Sequence, residues 1–225
     1  MSPVELLDYT KADIRIMVET PWERHFRVHS AAKEPETTAW IDEHVQEGDV
    51  FWDIGACVGT YGLMAASRGA DVTCVEPELT NLARLDQNIA LNPGLPIKSF
   101  RGAISDKWDD EAWLSVPHGK AGAANNHLGG EGDHCQSTTA ITLDQLNEAW
   151  EGPPNHVKID VDGHELQVVR GGVETLQACK TVMIEVDHDT EGVEGEIRAV
   201  FDGFTEEVFH RSANIYNHLF VRSTD

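Results

Sequence analysis

Residues 50–60 read Val-Phe-Trp-Asp-Ile-Gly-Ala-Cys-Val-Gly-Thr. An apolar run stops at Asp53, glycines follow at positions 55 and 59, and an amphipathic stretch runs from about Val58 to Ser67. That order predicts a strand, a tight turn and a helix. Gly55 can take a positive φ and lets backbone approach a ligand. The turn would lie beyond the carboxyl end of a strand, where open α/β sheets bind small molecules. Gly55, Ala56 and Gly59 are therefore candidates for ligand contact, with Asp53 beside them.

The spacing narrows the ligand. A dinucleotide fingerprint reads G-x-G-x-x-G, and its second glycine lets a pyrophosphate approach the backbone. Here Cys57 occupies that place, which disfavours a nicotinamide or flavin dinucleotide. An acid at Asp53 suits a ligand that ends in a cationic amino acid and carries no phosphate. S-adenosylmethionine is such a ligand. A second acid, Glu76, closes the next apolar run, Asp71 to Val75. Its carboxylate can accept both hydroxyls of a ribose, with Pro77 next to it. Farther on, Gly102-Ala103-Ile104 follows a third strand at about 97–101, where small residues leave room for a flat ring such as adenine.

Seventeen basic residues stand against 39 acidic ones, for a net charge of −22. Such a surface repels phosphate backbones, and the basic residues are scattered, so no nucleic-acid partner is expected. It also suits a solvent of high salt, where like charges are screened. The expected outcome is a melting temperature that rises with KCl, checked by thermal denaturation across a salt series. The four cysteines, Cys57, Cys74, Cys135 and Cys179, form no C-x-x-C pair and read as thiols in a reducing compartment. The first residues carry no basic stretch followed by an apolar one, and no apolar run reaches about 18 residues. A cytoplasmic protein with no membrane partner is the expectation.

Strands and helices alternate along the chain, which predicts a doubly wound, mostly parallel α/β sheet with helices on both faces. Residues 1–48 read as a lead-in segment and 49–225 as the core, with a loop or hairpin insertion at about 107–140. Within the lead-in, Ile14, Ile16 and Val18 alternate like an edge strand. Trp22 to Arg27 mixes rings and charges and suits either a segment that covers a ligand or, the favoured reading, one that packs on the first helix. That helix is expected from about Thr38 to Gln46, capped by Thr37 or Thr38. In the insertion, Glu111 to Val116 and Gln136 to Ile141 read as pairing strands around a glycine-rich loop. His118, His127 and His134 lie in or near this loop, at spacings that match no metal-finger pattern. At the end of the chain, Phe204–His210 and Ile215–Arg222 read as an antiparallel hairpin about Ser212-Ala213-Asn214.

A second informative stretch is Val157-Lys158-Ile159-Asp160-Val161-Asp162-Gly163-His164-Glu165. Another apolar strand ends at an acid, and Asp160, Asp162, His164 and Glu165 fall within six positions. These four are the candidates for moving a proton or contacting a reacting group. The next strand, 181–186, also ends near acids (Glu185, Asp187, Asp189) and beside His188. Asp160, Asp162 and Glu185 are candidate oxygen ligands for a magnesium ion.

These motifs together resemble a known family. D-I-G-A-C-V-G, V-E-P with N-I-A-L-N, T-L-D-Q-L, and K-I-D-V-D-G-H-E with L-Q-V-V-R-G-G are similar to FkbM-type S-adenosylmethionine-dependent methyltransferases, from about Glu34 to Val186. The resemblance implies a seven-stranded sheet whose last strand is antiparallel. It also implies O-methylation of a hydroxyl on a sugar or secondary metabolite. Asp162 stands where that family usually has glutamate, and the 117–135 loop matches nothing specific. The readings set against this one are a nucleotide- or NAD-binding enzyme and a cofactor-binding scaffold without activity.

Overall fold

The structure is a computed structural model and describes residues 3–124, 126–129, 134–150, 152–187, 192–212 and 215–223. Two short strands, β1 (Val4–Leu6) and β2 (Arg15–Met17), pair antiparallel. Helices α1 (Pro21–Glu23), a π-helical turn at Arg24–Val28, α2 (Ser30–Lys33) and α3 (Pro35–His44) follow. The core then runs β3 (Val50–Ile54), α4 (Thr60–Ser67), β4 (Asp71–Val75), α5 (Leu79–Leu91) and β5 (Ile97–Phe100). The insertion holds β6 (Ala103–Ile104), β7 (Asp109–Ser115), β8 (His127–Leu128) and β9 (Cys135–Ile141). The second half runs α6 (Leu143–Ala149), β10 (His156–Ile159), α7 (Glu165–Arg170), α8 (Val173–Ala178), β11 (Thr181–Asp187), α9 (Val193–Val200), β12 (Phe204–Ser212) and β13 (Ile215–Arg222).

The main sheet has seven strands in the order β12-β13-β11-β10-β3-β4-β5. The pairs β11–β10, β10–β3, β3–β4 and β4–β5 are parallel. Strand β13 is antiparallel to both its neighbours, so β12 runs with the other five and β13 alone runs against them. The sequence reading of a seven-stranded, mostly parallel sheet ending in a hairpin holds. The sheet reverses its winding between β3 and β10. That is the switch point over which open α/β sheets carry ligands.

Side-chain alternation along the strands divides the core in two. Phe51, Val72, Cys74, Met183 and Leu219 face α3, α4 and α5. Trp52, Ile54, Val157, Ile159, Val182, Ile184 and Phe220 face α6 to α9. Gly62 lets α4 lie close to the sheet, since an added Cβ there would meet Cys74 Sγ. The lead-in joins the first of these cores through Leu7, Tyr9, Ile14, Ile16, Val18 and Val28. Asn88 of α5 and Asn92 at its C-cap bind the backbone of β2. Buried Arg84 of α5 pairs with Glu19 and Glu23.

One local expectation needs correction and two need refining. Helix α3 begins at Pro35 with Glu34 at its N-cap and no side-chain cap; a proline at the first helical position sets the start ahead of Thr37 and Thr38. The stretch around Ile16 is an edge strand as expected, but of a separate two-stranded sheet with β1. The segment after Pro21 is a short helix and a π-helical turn, and its Arg27 lines the cavity over the sheet. The insertion strands pair as expected, β7 with β9, in a four-stranded sheet of order β6-β9-β7-β8. The hairpin turn at 213–214 lies outside the described residues. Among the described residues, no helix is long and apolar enough to cross a membrane.

Candidate functional site

A cavity of about 310 Å3 lies at the carboxyl ends of the central strands, between the turn after β3 and the loop after β10. Its walls include Gly55, Glu76, Pro77, Ala103, Ile104, Asp160, Asp162, His164 and Glu185, all expected from the sequence. Gly55 has φ +80°, and a Cβ there would overlap the Asp160 carbonyl oxygen and lie 2.8 Å from its carbon. The two loops therefore meet across a position where only glycine fits. Cys57 is also in the left-handed region, at φ 52°, and lines the cavity.

Glu76 follows the end of β4. Its Oε2 accepts from Cys57 N at 2.8 Å and its Oε1 from Glu78 N at 2.9 Å. Each oxygen keeps a second lone pair. Burial pushes this carboxyl up to about 8, with the two N–H bonds working the other way. Asp160 behaves differently. Burial alone would raise it, but the Lys158 ammonium, 2.8 Å from its Oδ2, holds it below the ordinary carboxylate range.

His164 lines the cavity with Nε2 3.0 Å from Ser105 Oγ. Its Nδ1 has no hydrogen-bond partner among the described residues. When Nε2–H donates to the hydroxyl, Nδ1 keeps its lone pair. Burial lowers its pKa below the usual histidine value, although Asp106 works against this. The glycine pair between α7 and α8 makes this packing possible. A Cβ on Gly171 would overlap Ser105 O and lie 3.0 Å from Asp106 Cα.

Four of the expected site residues are elsewhere. Asp53 is fully buried on the α4 face, where Oδ2 accepts from Gly62 N at 3.0 Å and Oδ1 has no partner among the described residues. Side-chain alternation sends it there, along with Phe51. Burial pushes its carboxyl up to about 6, against the charge of Lys158. Ala56 and Gly59 close the turn itself, Gly59 N donating to Ala56 O at 2.8 Å. Gly59 also faces Leu85, which a Cβ would overlap. Glu165 turns back onto its own loop, where Oε1 accepts from Val161 N and Gly163 N, each at 3.1 Å. It shapes the loop that carries Asp162 and His164, and burial pushes it up to about 7.

Asp160, Asp162 and Glu185, the candidate magnesium ligands, are not grouped as a metal site among the described residues. Asp160 is paired with Lys158 and Glu185 with Arg211, and Asp162 Oδ2 accepts from Asn126 N at 3.2 Å. Among the described residues no group of three or more His, Cys, Asp or Glu is placed to hold a metal. His188 and Asp189 lie outside the described residues.

Other walls come from distant segments that the motifs do not mark. Arg27 and Lys33 come from the lead-in, Arg211 and Ile215 from the terminal hairpin, and Leu114, Ala123, Asn126 and Leu128 from the insertion. The mixture of rings and charge at 22–27 was the only available signal for Arg27.

Strand order, an anchored acid after β4 and a cavity over the switch point define a class I methyltransferase type of fold. Solved structures agree on the fold. One is a SAM-dependent methyltransferase from Agrobacterium tumefaciens (TM-score 0.60, 11% identity, 99% of this chain and 71% of that one). Another is magnesium protoporphyrin IX methyltransferase from Synechocystis, with bound SAM (TM-score 0.56, 16% identity, 91% and 85%). The family is decided by sequence. Residues 53–212 match the methyltransferase FkbM domain, and the chain belongs to that family. It is also 32% identical over 166 residues to the hexuronic acid methyltransferase AglP of Haloferax volcanii. That match covers 73% of this chain and 66% of AglP, slightly under two thirds of the relative's length.

Proposed function

We propose that the cavity binds S-adenosylmethionine and that the protein transfers its methyl group to a hydroxyl of a sugar, an acidic sugar in particular. The observation that carries this reading is Glu76, a buried carboxylate fixed by two backbone N–H groups with acceptor capacity left for a ribose diol. Gly55 supplies the close backbone approach, and Gly102 to Ile104 with Leu114 and Leu128 supply an apolar slot for a flat ring. Asp160, a cavity wall whose Oδ2 is held by Lys158, would accept the cofactor's ammonium. The likeness to AglP, a hexuronic acid methyltransferase by name, supports a sugar acid as acceptor.

When bound, S-adenosylmethionine supplies an electrophilic methyl on a sulfonium whose thioether leaves without needing an acid. The chain's own residues then have two tasks. One is to hold the acceptor oxygen in line, since orientation alone can supply much of the rate. Asp162, Asn126, Glu185, Arg211 and Lys33 line the acceptor side and offer hydrogen bonds to a hydroxyl-rich acceptor. The other is to take the hydroxyl proton. His164 is the base: it is neutral at pH 7, and Ser105 sets its tautomer. Asp160 is a poor base because Lys158 stabilises its ionised form.

The test is incubation with S-adenosylmethionine and acceptors bearing hexuronic acids, read as S-adenosylhomocysteine released and one methyl gained by the sugar. Absence of S-adenosylmethionine binding at any salt concentration would refute the reading. Glu76 gives a sharper check. Glu76→Ala is expected to weaken S-adenosylmethionine binding by roughly 10- to 100-fold, the scale of hydrogen bonds to a charged group. Ribose hydroxyls favour the ionised carboxylate, and burial favours the neutral one. Wild-type affinity should therefore rise as pH increases through about 8, and Glu76→Gln should abolish that rise. Calorimetric titration between pH 6.5 and 9 reads both.

A further inference from the structure

We infer that Arg27, in the lead-in segment outside the family-matched residues, is the receptor for the α-carboxylate of S-adenosylmethionine. This rests on the reading of the cavity given above. Arg27 lines the cavity, and its Nε and Nη2 donate to one carbonyl, Gly122 O, at 2.9 and 2.5 Å. Nη1 has no hydrogen-bond partner among the described residues, and among them no carboxylate lies within 4 Å of the guanidinium. Asp160 and Glu34 act on it only through space, against the cost of its burial. A half-buried cation with no direct ion-pair partner is costly. It is also anomalous in a chain with net charge −22.

The other cations around the cavity are already matched. Lys33 pairs with Glu34, Arg211 with Glu34 and Glu185, and Lys158 with Asp160. Arg27 is therefore the guanidinium with a vacancy for an anion, and its planar fork suits a carboxylate.

Its position favours the cofactor's carboxylate over one on the acceptor. Gly122, which Arg27 grips, is joined to the start of α5 through Gly122 N to Asn81 Oδ1 at 2.8 Å. The next residue returns the contact, Asn81 Nδ2 to Ala123 O at 3.1 Å. Cys57 Sγ of the glycine turn lies 3.8 Å from the same Ala123 oxygen. Arg27 thus belongs to the side of the cavity formed by the turn and Glu76. Asp160 and Arg27 offer opposite charges to the two ends of a zwitterion.

The experiment compares Kd values for S-adenosylmethionine and its decarboxylated analogue, by calorimetry on the whole chain at one ionic strength. The analogue carries more positive charge, so a chain of net charge −22 attracts it more strongly at long range. Any preference for S-adenosylmethionine must therefore come from a local anion site. The wild type is expected to prefer S-adenosylmethionine by roughly 10- to 100-fold. Arg27→Met should bring the ratio to about one or below, and Arg27→Lys should restore part of it. Arg27 also anchors the 122–124 loop, so Trp22→Phe is the control. It removes a second donor to Gly122 O, from Trp22 Nε1 at 3.3 Å, and should leave the ratio unchanged.

Equal loss of affinity for both compounds in Arg27→Met would assign the residue to the loop alone and overturn the inference. Unchanged S-adenosylmethionine binding with a raised acceptor KM would move its anion to the acceptor and overturn it too. A wild type that binds neither compound would refute the reading of the cavity itself, and this inference with it.

Discussion

Gly55→Ala is expected to destabilise the protein by about 4 kcal/mol or more, in the range reserved for a named structural failure, and to abolish S-adenosylmethionine binding. Two costs add. A non-glycine residue at φ +80° pays about 1–2 kcal/mol. The larger cost is the overlap of the new Cβ with Asp160 O, and that carbonyl has little freedom to retreat. Asp160 N donates to Ile54 O at 3.0 Å, Gly55 N to Val75 O at 3.0 Å, and β3 and β10 are in register up to Ile54 and Ile159. Moving the carbonyl means breaking the ladder at the centre of the sheet. Gly48→Ala separates the two costs. Gly48 has nearly the same φ, +84°, and nothing lies within 4 Å of its added Cβ. It should lose only the conformational cost, about 1–2 kcal/mol. Urea denaturation of both variants decides the matter: equal losses would mean that the contact between the two loops does not govern the turn.

The second large effect is on turnover. His164→Ala is expected to lower kcat by about 10²- to 10⁴-fold, the usual contribution of a positioned general base, while the Kd for S-adenosylmethionine stays within a few-fold. The pH profile tests which group is titrating. A base acts only when unprotonated, and burial lowers the pKa of His164 below its ordinary value. Activity should then hold as pH falls to about 6.5 and decline below it. Glu165 as base would place the decline near 7, where burial has pushed its carboxyl. Asp160 would place it below the usual carboxylate range, because Lys158 stabilises the ionised form. Asp160→Asn and Glu165→Gln, each assayed for kcat and for S-adenosylmethionine affinity, complete the comparison. Retention of full kcat in His164→Ala would remove the histidine from proton transfer.

Sequence reasoning succeeded where one short stretch contains both cause and effect. An apolar run, an acid and a glycine specify a strand end and its turn without help from the rest of the chain. The positions of Gly55, Glu76 and Asp160 at the cavity were legible for that reason, as were the parallel sheet and its terminal hairpin. The reading of Asp53 failed on direction. Spacing places it at a strand end, but the alternation of side chains turns it toward α4, away from the cavity. Glu165 failed similarly: its proximity to His164 in sequence hid a carboxylate bent back to two N–H groups of its own loop.

What no local pattern contains is the meeting of distant segments. Arg27, Asn126 and Arg211 come from three parts of the chain, and their chemistry depends on which neighbours neutralise them. Whether a carboxylate can hold a metal, take a proton or bind an ammonium depends on the charges and solvent that the fold puts around it. Asp160 lost its place as a magnesium ligand because a lysine two residues earlier shares its side of the sheet. Amino-acid order determined the architecture and the turn, since backbone conformation responds to near neighbours. Tertiary packing decided the charge state and partner of each group in the cavity, since Coulomb interactions and desolvation act through space.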